Sequence, residues 1–181
     1  THRMSSAASD VYKRQIKRSR LNRPFVEVEL AFVMKEELKG SSVNVADIIR
    51  ATDFVLPALE IVDTRYKDSG PNMLVDSIAD TAWCGGVVLG GNPVRLNDID
   101  IRRIGGSLSI NGEIIETGSA VAVMSNPVNA VAWLANTLHR FGTSVQPGDV
   151  ILSGSFVRAV PFEADQSLVA LFDGLGEVTL K

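Results

Sequence analysis

Phe25-Val26-Glu27-Val28-Glu29-Leu30-Ala31-Phe32-Val33 reads as a β-strand with two acids set into it. Side chains alternate faces along a strand, so Val26, Val28, Leu30 and Phe32 share one face. Glu27 and Glu29 share the other with Phe25, Ala31 and Val33. Two like charges on such a face repel each other, and they lose hydration if buried. A divalent cation between the carboxylates would make the arrangement tolerable, and so would an edge strand that shows both acids to water. The spacing alone leaves both readings open, and the edge strand is the commoner one.

Working outward, Asn44 is placed to cap a short helix, with Asp47 in its first turn and Ile48, Ile49 and Ala51 on its apolar side. Phe54 to Val62 is a second apolar strand, and it contains one acid, Glu60. Asp68-Ser69-Gly70-Pro71 marks a loop over 66–72. A helical turn or two is expected over Asp76 to Trp83, closed by Gly85-Gly86, then a short buried strand at Val87-Val88-Leu89. Asn111-Gly112, between Leu108-Ser109-Ile110 and Glu113-Ile114-Ile115, is the dipeptide a type I′ hairpin requires. Asn126, Pro127 and Gly142 bracket a helix whose apolar stripe is Val128, Val131, Ala132, Ala135 and Leu138. Val150-Ile151-Leu152 forms another strand, and Ser167 to Phe172 is expected to pair with Glu177 to Leu180. Many short strands and few helices predict a β-rich α+β domain with a mixed sheet or roll, not a doubly wound one.

The 181 residues suffice for one domain with a real core, at 45% hydrophobic and 22% charged content. A net charge of -3 gives no footing for nucleic acid. One cysteine, Cys84, excludes an internal disulfide and fits a reducing compartment. No apolar run approaches the roughly 18 residues that span a bilayer. The expectation is a cytoplasmic protein with neither membrane nor nucleic-acid partners. Thr1 to Gln15 shows no structural period and no signal-peptide core, and Lys17, Arg18, Arg20 and Arg23 read as a solvated basic lead-in. The chain stops at Leu180-Lys181 within a strand-like pattern, which reads as a fragment.

The third acid bears on the first two. Glu60 lies in Pro57-Ala58-Leu59-Glu60-Ile61-Val62-Asp63, flanked by apolar residues as Glu27 and Glu29 are. Three carboxylates from two strands make an oxygen-only donor set suited to Mg²⁺ or Mn²⁺. Zinc would call for His or Cys, and no motif supplies them. His139 stands alone on the long helix as a surface or packing residue, and Cys84 reads as a small core residue.

Together with Val26 to Phe32, the segments Ala51-Thr52-Asp53, Pro57 to Asp63 and Ile78-Ala79-Asp80 resemble the fumarylacetoacetate-hydrolase superfamily. Glu116-Thr117-Gly118, Asn126-Pro127, Val131 to Asn136 and Gly148 to Phe156 continue the likeness in order. The branch it resembles is that of the 2-oxopent-4-enoate and 2-oxohept-4-ene-1,7-dioate hydratases. On that resemblance, residues 24–181 form a catalytic domain of the family's C-terminal type, and residues 1–23 are a lead-in outside it. It implies Glu27, Glu29 and Glu60 as ligands of Mg²⁺ or Mn²⁺ and a small 2-oxo acid as substrate. It also implies a homo-oligomer and a place in aromatic-compound catabolism. The reaction implied is addition of water to a 2-oxo-4-enoate. A 2-oxo-3-enedioate decarboxylase and an inactive metal-binding fragment or assembly partner are the alternatives. Asp80 matches an acid of the family, with Thr81 where Asn is common, and is the candidate for proton transfer. Ser155 and Arg158 are candidates for holding a substrate carboxylate. The family's amino-terminal segment, which carries a lysine motif, has no match before Pro24.

Overall fold

The acid-bearing stretch forms β1 (Pro24–Met34), and β1 is the strand around which the first of two sheets is built. The computed structural model describes residues 16–66 and 73–181. The lead-in over 1–15 and most of the loop expected at 66–72 lie outside the described residues. In the first sheet β2 (Thr52–Asp63) pairs with β1 along its length, and β3 (Cys84–Leu89) pairs with β2. On the other side of β1 lie β6 (Val150–Leu152) and, nearer its start, β7 (Val160–Pro161). The second sheet runs β5 (Glu113–Ser119), β4 (Gly105–Ile110), β8 (Leu168–Phe172), β9 (Gly176–Leu180). Each of these ladders is antiparallel.

Alternation does what the sequence predicts. Val26, Val28, Leu30 and Phe32 are fully buried. They share one core with Leu59 and Ile61 of β2, Leu108 of β4, and Leu168, Ala170 and Phe172 of β8. Burial of each such leucine, isoleucine or phenylalanine contributes about 1.5–3 kcal/mol, so this shared face is what holds one sheet on the other. Phe156 meets Phe172 edge-to-face, with ring centres 6.0 Å apart and planes at 83°. On the opposite face of the first sheet Ala31, Leu56 and Ala58 form only a thin apolar strip, backed by Val33, Phe54, Leu89 and Leu152. That second face is the one that carries the acids.

Local signals explain the connections. Asn44 caps α1 (Val45–Ala51) by accepting from the Ala46 and Asp47 amides, while Asp47 accepts in return from the Asn44 amide at 2.9 Å. Ile48 and Ala51 are buried beneath α1, but Ile49 faces solvent, because so short a helix buries one narrow stripe. The hairpin turns at Asn111 (φ 53°) and Gly112 (φ 86°), the two positive φ values of a type I′ turn. α3 (Pro127–Arg140) starts on Asn126, whose side chain accepts from the Val128 amide, and stops before Gly142 (φ 73°).

Two expectations shift. α2 (Met73–Ala79) ends early, and Gly85 and Gly86 lie inside β3 rather than closing a helix. A Cβ on Gly85 would sit 3.0 Å from the Asp63 Cβ and 3.2 Å from the Ile61 carbonyl oxygen, so the glycine permits a close approach of β3 to β2. The basic lead-in is also tied down. The Asp63 carboxylate accepts from the backbone amides of Asn22 (2.9 Å) and Arg23 (2.7 Å), and Ile16 and Leu21 pack against the core.

The loop after β6 presses on the second sheet at Gly118, where an added Cβ would collide with the Phe156 carbonyl oxygen. Gly118→Ala is therefore expected to lower stability by about 1–3 kcal/mol, the usual effect of overpacking. Urea denaturation checks this, with a midpoint shift at constant slope as the expected result.

Candidate metal centre

Glu27 and Glu29 project from the same face of β1, and the register sets Glu60 of β2 directly across from Glu27. One carboxylate oxygen from each of the three lies within 4.8 Å of the others. Glu29 is 1% exposed, and the other two are half-buried. Among the described residues no lysine or arginine forms an ion pair with any of them. Burial, then the charge of Glu60, pushes the Glu29 carboxyl up to about 9 from an ordinary 4.5. Glu27 is raised by the same two causes in the same order. Acids this crowded are destabilising when ionised without a cation among them. An all-oxygen set of three carboxylates fits a hard divalent ion such as Mg²⁺ or Mn²⁺, so the residues present suit the metal expected from sequence.

One neutral group helps hold the arrangement. The Gly154 amide donates to Glu29 Oε2 at 2.7 Å, from a residue at φ 98° that favours glycine. The same segment completes the edge of β1 with side chains. Ser153 Oγ accepts from the Leu30 amide at 3.4 Å, and Ser155 Oγ accepts from the Val28 amide at 3.3 Å. Ser155 Oγ also meets the Val28 and Val157 carbonyls, at 3.3 and 2.9 Å.

The acids form part of a cleft of about 740 Å³, whose other lining includes Phe25, Val62, Thr64, Thr81, Ala82, Trp83, Cys84, Leu152, Gly154 and Ala159. Of the residues expected from sequence, Glu27, Glu29 and Glu60 come together there. Asp80, Ser155 and Arg158 do not line it. The Asp80 carboxylate is taken by Arg65 Nε, with both oxygens at 2.8 Å. Arg158 is exposed and pairs with Glu116 at 2.6 Å. Ser155 is committed to backbone, as above. Cys84, expected in the core, is only partly buried and lines the cleft, where burial and then the Glu60 charge push its thiol up to about 11.

Sequence reasoning missed one wall of the cleft. Thr81, Ala82 and Trp83 all take positive φ, at 53°, 53° and 62°. For L-residues such a run costs roughly 1–2 kcal/mol per residue. Arg65 clamps the turn at both ends, reaching the Asp80 carboxylate and carbonyl on one side and the Cys84 carbonyl on the other. The absence of glycine from Asp80-Thr81-Ala82-Trp83 hides this turn from any propensity reading.

A family model described as fumarylacetoacetate (FAA) hydrolase C-terminal matches residues 5–180. The chain belongs to that family. A 2-oxo-hept-4-ene-1,7-dioate hydratase of Escherichia coli is 38% identical over 163 residues, covering 87% of this chain and 61% of the relative. A 2-keto-4-pentenoate hydratase of Burkholderia vietnamiensis is 39% identical over 158 residues, covering 87% and 60%. The chain thus spans about three fifths of the length of these curated relatives. Among solved structures, a 4-oxalocrotonate decarboxylase from Pseudomonas putida G7, complexed with magnesium and adipate, matches with a TM-score of 0.87. It is 31% identical, and the match covers 95% of this chain and 66% of that one. The β-rich α+β fold expected from sequence is the fold of this family.

A carboxyl whose pKa is raised on folding keeps its proton where the unfolded chain has lost it. With Glu29 raised from 4.5 to about 9, metal-free stability is expected to fall progressively as pH rises across that window. Thermal melting between pH 5 and pH 9 in a chelator checks this. Glu29→Gln retains an acceptor for Gly154 and removes the charge, so it should flatten the profile and raise the metal-free melting temperature at pH 8 by several degrees.

Proposed function

We propose that the chain carries the metal-binding part of a hydro-lyase that adds water to a 2-oxo-4-enoate, with Mg²⁺ or Mn²⁺ as the cation. The observation that carries this reading is the three-carboxylate cluster set into an apolar cleft with no counter-cation among the described residues. The two hydratase relatives support it. They are closer in sequence than the decarboxylase, whose shared fold keeps CO₂ loss as the rival outcome of the same site.

Glu27, Glu29 and Glu60 would hold the ion. When bound, such an ion supplies electrophilic stabilisation of negative charge at a 2-oxo acid. The rest is the work of this chain's residues. The Gly154 amide fixes the Glu29 carboxylate, so the donor set keeps its shape. Phe25, Val62, Leu152 and Ala159 give a hydrocarbon chain an apolar bed and exclude bulk water from it. Asp80, engaged by Arg65, serves this site by holding the Thr81–Trp83 turn in place rather than by moving a proton. No helix among the described residues is long and apolar enough to cross a membrane.

Incubation with a 2-hydroxy-2,4-dienoate and Mg²⁺ should yield a 4-hydroxy-2-oxo acid. CO₂ release from a 2-oxo-3-enedioate without any 4-hydroxy product would reassign the site to decarboxylation. By calorimetry, Glu29→Ala is expected to abolish Mg²⁺ and Mn²⁺ binding, and unchanged affinity would reject the metal site itself.

A further inference from the structure

Between its ladders with β6 and β7, β1 runs past residues 153–156 without regular strand pairing, and this gap flanks Glu27 and Glu29. The register Ala31↔Leu152, carried on, sets Ser153 opposite Leu30, Gly154 opposite Glu29 and Ser155 opposite Val28. The Ser153 amide donates to the Leu30 carbonyl at 3.0 Å, which makes Leu30 and Ser153 a hydrogen-bonded pair of that register. A regular antiparallel ladder would then send the Leu30 and Val28 amides to the Ser153 and Ser155 carbonyls. It would also point the Gly154 N–H away from β1.

The chain does otherwise. The Leu30 amide donates to Ser153 Oγ and the Val28 amide to Ser155 Oγ, so each hydroxyl stands where its own residue's carbonyl would. Val28 and Leu30 are fully buried, and their amides need these acceptors. The Val28 carbonyl takes the Phe156 amide at 3.3 Å, a slip of one residue. The hydroxyl protons stay within the segment: Ser153 Oγ donates to the Gly154 carbonyl at 3.1 Å, and Ser155 Oγ donates to the Val157 carbonyl at 2.9 Å. Gly154 is thus held at both ends, its carbonyl by Ser153 and its N–H by Glu29 at 2.7 Å. Without a hydroxyl at 153 or 155, a buried amide of β1 goes unmet unless the segment rotates to offer its carbonyl. That rotation carries the Gly154 N–H away from Glu29.

We propose that Ser153 and Ser155 are positioning residues of the metal centre: by standing in for backbone carbonyls on the edge of β1, they keep the Gly154 N–H on Glu29 and preset that carboxylate for a divalent ion. This rests on the reading of Glu27, Glu29 and Glu60 as metal ligands and names the groups that set the affinity of that site. Both serines act through Gly154, and neither touches the ion or the reacting atoms. Groups that orient a metal ligand from behind commonly change affinity by about 10–100-fold when removed.

The test uses the full 181-residue chain, with Mg²⁺ titrated calorimetrically and hydrogen exchange of the Gly154 amide followed by NMR in a chelator. Ser153→Ala and Ser155→Ala should each weaken Mg²⁺ binding about tenfold. Each should also lower the metal-free protection of the Gly154 amide by about tenfold. Ser155→Thr keeps the hydroxyl and should bring both readouts back to within about twofold of the unaltered chain, which a general loss of packing would not do. Ser109 Oγ donates to the Val169 carbonyl at 3.2 Å in the second sheet, so Ser109→Ala removes a comparable bond and should leave both readouts unchanged. Mg²⁺ affinity within about twofold of the unaltered chain in the alanine variants at 153 and 155 overturns the assignment and leaves the metal centre standing. Weaker binding with Gly154 protection intact, or an equal loss in Ser109→Ala, overturns it too. Where one alanine variant fails to melt cooperatively, the other decides. An unaltered chain that binds no Mg²⁺ overturns both the assignment and the metal centre.

Discussion

Repulsion among three buried carboxylates is the constraint to which the rest of the molecule answers. A pleated strand cannot place Glu27 and Glu29 on one face without bringing them within a strand repeat of each other, and pairing in register adds Glu60 from across the ladder. Each contact that surrounds them either lowers that repulsion or withstands it. The Gly154 amide lowers it, as would a bound cation. The opposite face of the same sheet withstands it, with Val26, Val28, Leu30 and Phe32 fixed in a core too large to yield to one unfavourable site.

That division explains how much was legible in the sequence. The three acids could be found because each interrupts an apolar strand, and a strand's two-residue period tells which side chains share a face. The hairpin and the two capped helices could be found because Asn111-Gly112, Asn44 and Asn126 act on neighbours within a few residues. The placements of Asp80, Ser155 and Arg158 could not. Their partners are Arg65, the backbone of Val28 and Glu116, at separations of 15, 127 and 42 residues. Pairings at that range depend on the assembled sheet rather than on spacing. The Thr81–Trp83 turn was invisible for a related reason: its conformation is imposed by Arg65 and not preferred by its residues.

The clamp by Arg65 and the edge completed by Ser153 and Ser155 solve opposite problems with the same means. Each uses side chains to satisfy backbone groups where regular pairing stops, one at a turn and the other along a strand. Both lie next to the cleft. The walls therefore keep their shape without a continuous ladder, and irregular backbone is available where a ligand would have to fit.

Every described residue that lines the cleft comes from the first sheet or from the loops attached to it, and none of them comes from the hairpin of β4 and β5 or from β8 and β9. The second sheet reaches the site chiefly through Phe156, which packs on Phe172 and lies against Gly106 and Gly118 just after the loop that holds Glu29. The two halves are thus free to diverge at different rates. Sequence drift in the second sheet would alter how firmly the domain holds together and leave its chemistry alone, until it widens or narrows the slot that receives one aromatic ring.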